Sequence, residues 1–175
     1  LEKLASNTQG FVLLIEASKI DWASHEKDIL GVLSEMQDFE LAAKAAIKFA
    51  KADGNTLVII TADHETGGLS VGSGGSGEKF YFWDHDVIRT FKHTTAKIAT
   101  DAQKSGNLLT ASQNATSIEF TELEKRQLLN ADLSDWYQTR RVLTKIINER
   151  SFTGWTSFVH TGVDVNLYAY GPGSD

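Results

Sequence analysis

The sequence predicts an α/β fold: a partial, mostly parallel sheet with flanking helices, interrupted by an inserted and mainly helical cap. Three observations carry that prediction. Residues 10–15 (Gly-Phe-Val-Leu-Leu-Ile) and 57–62 (Leu-Val-Ile-Ile-Thr-Ala) are short apolar runs of the kind that form strands buried on both faces. Between them, Ile29, Leu33, Met36, Phe39, Ala43, Ile47 and Ala50 recur every three or four residues, the period of one helix face. Strand, helix, strand within about fifty residues implies a right-handed crossover between parallel strands.

Taken in order, residues 1–9 read as the tail of a helix and a turn. The first strand, 10–15, leads into Glu16, Asp21 and His25. The helix runs from about residue 26 to Ala52, and Asp53-Gly54-Asn55 stops it, Gly54 being a natural left-handed cap. The second strand ends on Asp63, His64 and Glu65, followed by Gly67 and Gly68. Ligands of open α/β sheets sit beyond the carboxyl ends of parallel strands. The predicted crossover therefore brings two clusters of acids and imidazoles to one sheet edge. Successive side chains at a strand end face opposite ways, so Asp63 and His64 serve different partners. They do so as ligands of one metal reached around a bend, or as members of a metal cluster. The plain alternative is a solvated turn with an Asx hydrogen bond.

Beyond Gly68 the composition changes. Gly-Ser-Gly-Gly-Ser-Gly at 72–77 marks a boundary, which divides the chain into a core of 1–71 with 156–175 and a cap of 72–155. The cap opens on Phe80, Tyr81, Phe82 and Trp83 and then predicts three helices. One covers 84–104. A second starts near Thr121, where Thr121 and Glu124 have capping-box spacing. The third covers 135–150 and offers Trp136, Leu143, Ile146 and Ile147 for burial. Residues 107–117 are polar and read as a surface loop. His85 and His93 stand apart from other ligand types and read as surface or packing residues. Back in the core, His160 precedes Val163–Tyr170, which alternates as a strand does, and Gly171-Pro172-Gly173 is a turn. A parallel strand left uncovered at each end of the chain implies that both termini were cut from something larger.

Composition narrows the function classes. A chain of 175 residues is one domain by default and buries a sizeable core. Its net charge of −6 argues against a general phosphate-backbone binder, so no nucleic-acid partner is expected. With no cysteine, disulfides and thiolate zinc sites are excluded, and a metal must be held by His, Asp and Glu. No apolar run approaches the roughly 20 residues of a membrane span.

Three stretches also carry a family resemblance. They are Glu16-Ala-Ser-Lys-Ile-Asp21-Trp-Ala-Ser-His25, Thr61-Ala-Asp63-His64-Glu-Thr-Gly-Gly68, and His160-Thr-Gly-Val-Asp-Val with Tyr168-Ala-Tyr-Gly-Pro172. In order and spacing they resemble the carboxyl-terminal half of a bacterial alkaline phosphatase, with 72–155 at the place of a variable insertion. The resemblance implies hydrolysis of phosphomonoesters at a site of two Zn2+ and one Mg2+. Asp21, His25 and His160 would be the ligands of the first zinc, Asp63 and His64 two ligands of the second, and Glu16 one ligand of the magnesium. The chemistry of the first set agrees: two imidazoles and a carboxylate with a position left open compose a catalytic zinc site. The family's nucleophilic serine, within an Asp-Ser-Ala type motif, has no counterpart here. No catalytic nucleophile is therefore expected in these residues, nor turnover by them alone. The resemblance further implies a possible homodimer and export to the periplasm or beyond. Two other readings share some of the pattern. One is a phosphodiesterase or a phosphoglycerate-mutase-like member of the same superfamily, against which Ile20-Asp21-Trp22 and Glu65-Thr66-Gly67-Gly68 favour the phosphatase. The other is a non-catalytic metal-binding or interaction module.

Overall fold

A computed structural model of the chain describes residues 1–72 and 81–174. Residues 73–77 of the expected Gly/Ser boundary, and Phe80, lie outside them. A short helix α1 (Glu2–Ala5) precedes α2 (Ser18–His25) and α3 (Ile29–Asp53). The long helix predicted from about residue 26 to Ala52 is α3, with the short α2 before it as an unpredicted helix; α3 starts after Asp28, whose carboxylate accepts from Gly31 N at 3.0 Å as an N-cap. Its end is the predicted one, with Gly54 left-handed at φ 75°. Burial along α3 departs from the expected stripe. Ile29, Leu30, Gly31 and Val32 are buried at one end and Ala50 at the other, while Leu33 and Met36 between them are exposed.

The strands are β1 (Val58–Thr61), β2 (Glu65–Thr66), β3 (Ser70–Val71), β4 (Thr153–Gly154), β5 (His160–Thr161) and β6 (Leu167–Tyr170). They form three two-stranded pairs, β1–β6, β2–β5 and β3–β4, each antiparallel. The mostly parallel sheet expected from the sequence is not seen among the described residues, whose pairs are all antiparallel. The predicted strand at 10–15 is extended but unpaired, with Val12 99% and Leu14 90% exposed. The reason is that an apolar run states a demand for burial without naming a partner, and a strand exists only by hydrogen bonding to a neighbour. Phe11 instead meets Phe49 of α3 edge-on. The second apolar run and the last strand do come together, because β6 lies along β1 with Val58 opposite Tyr170 and Thr61 opposite Leu167.

Between β3 and β4 the chain forms α4 (His85–Arg89), α5 (Thr95–Ser105), α6 (Leu108–Ala115), α7 (Glu122–Leu129) and α8 (Trp136–Ser151). The single helix expected over 84–104 breaks at 90–94, where Thr90 ends α4 and Thr94 caps α5 by accepting from Lys97 N. The loop expected at 107–117 is largely α6. Its buried face is Leu108, Ala111, Ser112 and Ala115, at helical spacing but mostly too small to register as an apolar stripe. The capping box at Thr121 and Glu124 is present, and α8 buries Leu143, Ile146 and Ile147 as expected. These helices hold the main hydrophobic core, in which Ile98, Leu108, Leu128, Leu143 and Ile147 pack with Ile29 and Leu30 from α3. The helical stretch and the start of α3 therefore share one core. No helix among the described residues is long and apolar enough to cross a membrane.

Candidate metal centre

Helix α2 places the first two candidate ligands. Asp21 and His25 are four residues apart, so their side chains rise on one face, and Nε2 of His25 lies 3.4 Å from Oδ1 of Asp21. The helix stops at once after His25. Lys27 N donates to Ser24 O and Asp28 N to Ala23 O, both at 2.9 Å, with Lys27 left-handed at φ 55°. This is a Schellman ending made without glycine.

The third comes from the far end of the chain. Strand β5 pairs with β2 so that His160 lies opposite Thr66, and Nε2 of His160 is 3.8 Å from Asp21 Oδ1. One donor atom from each of Asp21, His25 and His160 falls within 4.8 Å of the other two. The His160 ring stacks on His64 at 3.5 Å between centroids and 18° between planes. The two imidazoles from the separate strand ends thus meet face to face. Asp63 stands beside His64, with Oδ2 3.3 Å from Nε2, but its side chain is 87% exposed. Glu16 is exposed, and no hydrogen bond or ion pair joins it to the other five among the described residues.

Glu65 and the two glycines set the bend that makes this pairing possible. Both carboxylate oxygens of Glu65 accept from Gly68 N at 3.0 Å, one accepts from Leu69 N, and the other accepts from the Thr161 hydroxyl on β5. Gly68 has φ +60°, and a Cβ there would sit 1.8 Å from Thr156 Oγ1. Only glycine fits that close approach.

The donor set suits a zinc ion. One carboxylate and two imidazoles form an open three-ligand site of the kind that leaves a fourth position for another group. The support around them suits it too. His25 Nδ1 meets the backbone carbonyl of Phe158 at 2.6 Å; since a carbonyl only accepts, the proton sits on Nδ1 and Nε2 is the free donor atom. Thr66 makes a second such link. Its hydroxyl donates to Asp21 Oδ1 at 2.5 Å, which leaves its oxygen to accept from His64 Nδ1 at 3.2 Å. Thr66 is buried and ties a member of the first group to a member of the second. Nothing in its residue type marks Thr66 as part of the site. Period-two alternation places it on the side of His64 and was the available signal. The Phe158 carbonyl had no signal at all, because any residue carries one.

Comparison with known proteins agrees across the whole chain. The alkaline phosphatase family model matches residues 1–175. Alkaline phosphatase 3 of Bacillus subtilis is 43% identical over 180 residues, covering 100% of this chain and 38% of its own length. The crystal structure of a cold-active alkaline phosphatase from a psychrophilic Shewanella sp. superposes with a TM-score of 0.87 at 38% identity, covering 98% of this chain and 42% of that one. A TAB5 alkaline phosphatase mutant with Mg bound in its M3 site shares the fold at a TM-score of 0.53 and 23% identity, covering 99% of this chain and 32% of that one. The chain spans about two-fifths of the length of such relatives.

Proposed function

The chain belongs to the alkaline phosphatase family, and from that premise we propose that it is the metal-ligating, carboxyl-terminal portion of a phosphomonoester hydrolase. The observation that carries the reading is the convergence of Asp21, His25 and His160, drawn from opposite ends of the chain, on donor atoms within 4.8 Å of one another. In this reading those three hold one zinc, Asp63 and His64 contribute to a second, and Glu16 to a magnesium. Bound there, the metals supply Lewis-acid stabilisation of charge on a phosphoryl group. Asp21 brings the negative charge, Phe158 fixes the tautomer of His25, and Thr66 holds Asp21 and His64 in one hydrogen-bonded chain. The run Val12–Ile15 and β1 take their places in a larger, mostly parallel sheet through segments of the longer relatives that this chain does not span, with the helical stretch as a cap on it. Homodimerisation and export out of the cytoplasm belong to the same proposal.

The test is zinc stoichiometry of the purified chain at neutral pH beside a His160→Ala variant, with phosphomonoester turnover measured on both. One tightly held zinc that the variant loses, without turnover by either, is the expected result. A folded chain that takes up no zinc, or a variant that keeps it, favours the non-catalytic interaction module and overturns the assignment of the triad.

A further inference from the structure

His25 is the last residue of α2, so its direction depends on what anchors the three residues after it. All three are held by α8. Arg141 forks onto Glu26, with Nε and one terminal nitrogen 3.0 and 3.2 Å from the two carboxylate oxygens. Asn148 Nδ2 donates to the carbonyl of Lys27 at 2.9 Å, which steadies a non-glycine residue in the left-handed region. Arg140 donates to the buried Asp28, also at 2.9 Å. On the other side, the His25 ring is held by the carbonyl of Phe158, and the Phe158 ring carries cations close by: Lys27 Nζ is 3.7 Å and the Arg141 guanidinium carbon 5.2 Å from its centroid.

From α8, Arg141 reaches both supports, by hydrogen bonds to the residue after His25 and by a cation–ring contact to the residue whose carbonyl orients its ring. We propose that Arg141 is a positioning residue for His25, holding the imidazole so that Nε2 faces Asp21 and His160. The guanidinium suits this double task, since its edge forks onto a carboxylate while its face lies against a ring, which a lysine does not do. Its side chain is 39% exposed and lies outside the shared core, but its partner Glu26 is buried, so the fold of each variant is checked by urea unfolding beside the readouts below. The helical stretch thereby acts on the metal centre from behind, through one side chain of α8. The zinc arm of the test rests on the metal-binding reading above; the ring-proton arm does not.

The experiment compares the 15N-labelled chain with Arg141→Ala, Arg141→Lys and Lys145→Ala. Lys145 is an exposed cation on the same helix, 3.8 Å from Glu149, and controls for charge. In the metal-free chain the Nδ1 proton of His25, held to a carbonyl, gives a slowly exchanging NMR signal. Arg141→Ala is expected to lose it, with zinc affinity about 10- to 100-fold weaker, the usual cost of removing support from a metal ligand. Arg141→Lys falls between, and Lys145→Ala matches the parent. An Arg141→Ala chain that keeps the ring proton overturns the proposal, whatever its zinc affinity. If that variant fails to fold, Phe158→Leu removes the ring and leaves the carbonyl; an undisturbed ring proton there overturns it equally. A parent chain that binds no zinc, while the ring proton responds as described, sinks the metal reading and leaves the role of Arg141 standing.

Discussion

Removing Arg140 tests how the two halves of the shared core are joined. Asp28 is fully buried, and its carboxylate accepts from Arg140 at 2.9 Å, from the Thr95 hydroxyl at 2.5 Å and from Gly31 N at 3.0 Å. Arg140 also donates to Thr95 at 3.0 Å, so the three side chains close a triangle between the α2–α3 junction, α5 and α8. Coulomb attraction at this separation is about 6 kcal/mol for an effective dielectric near 20, and desolvation of both ions offsets most of it. The pair as a whole therefore contributes little net stability. Deleting one partner is different, because the other charge is left buried and alone. Arg140→Met should cost about 3–5 kcal/mol, a large share of the roughly 5–15 kcal/mol that holds a domain folded. Asp28→Asn, which keeps an oxygen for the α3 cap, should cost a similar amount. The double variant should lose less than the sum of the two, by about 2 kcal/mol or more. Urea unfolding of the four chains at neutral pH, with equal slopes, measures the cycle. Singles that add, with a coupling energy under about 0.5 kcal/mol, refute the argument that the buried charges depend on each other.

Two further outcomes follow from surface features. The Arg150 guanidinium beside Glu124, helped by the Thr121 hydroxyl and backbone N–H, pulls its carboxyl down from 4.5 to about 2. A depressed carboxyl stabilises the fold above its unfolded value, and that part is lost as the pH falls from about 4.5 towards 2. Arg150→Met should thus be less stable than the parent at neutral pH, by about 1–2 kcal/mol after solvent screening, with the gap closing on acidification; a gap that stays constant with pH contradicts it. Val12 and Leu14 in the unpaired extended run, and Ile59 and Leu167 on the β1–β6 pair, are exposed apolar side chains. Self-association that grows with concentration is expected by light scattering, and a clean monomer at high concentration counts against it.

What could be read from the sequence was what short-range chemistry encodes. The i, i+4 pair Asp21 and His25, the Gly54 helix stop, the capping box at Thr121 and the apolar face of α8 each depend on residues a few positions apart, and each is in place. The ending of α2 at Lys27 was not legible, because a lysine held left-handed by α8 sends none of the signal that a glycine does. Nor was α6, whose face of alanine and serine is buried by its neighbours and not by its own hydrophobicity.

The sequence by itself determined which residues are candidate ligands, since Asp21, His25, Asp63, His64 and His160 offer carboxylates and imidazoles by type and spacing. Only the tertiary structure decided which of them meet. It stacked His64 on His160, linked Asp21 to His64 through Thr66, left Asp63 and Glu16 in solvent, and turned β6 antiparallel to β1. The carbonyl that orients His25 lies 133 residues away along the chain. At that distance the partner is chosen by how strands pair and helices pack, and a backbone oxygen carries no mark of its residue.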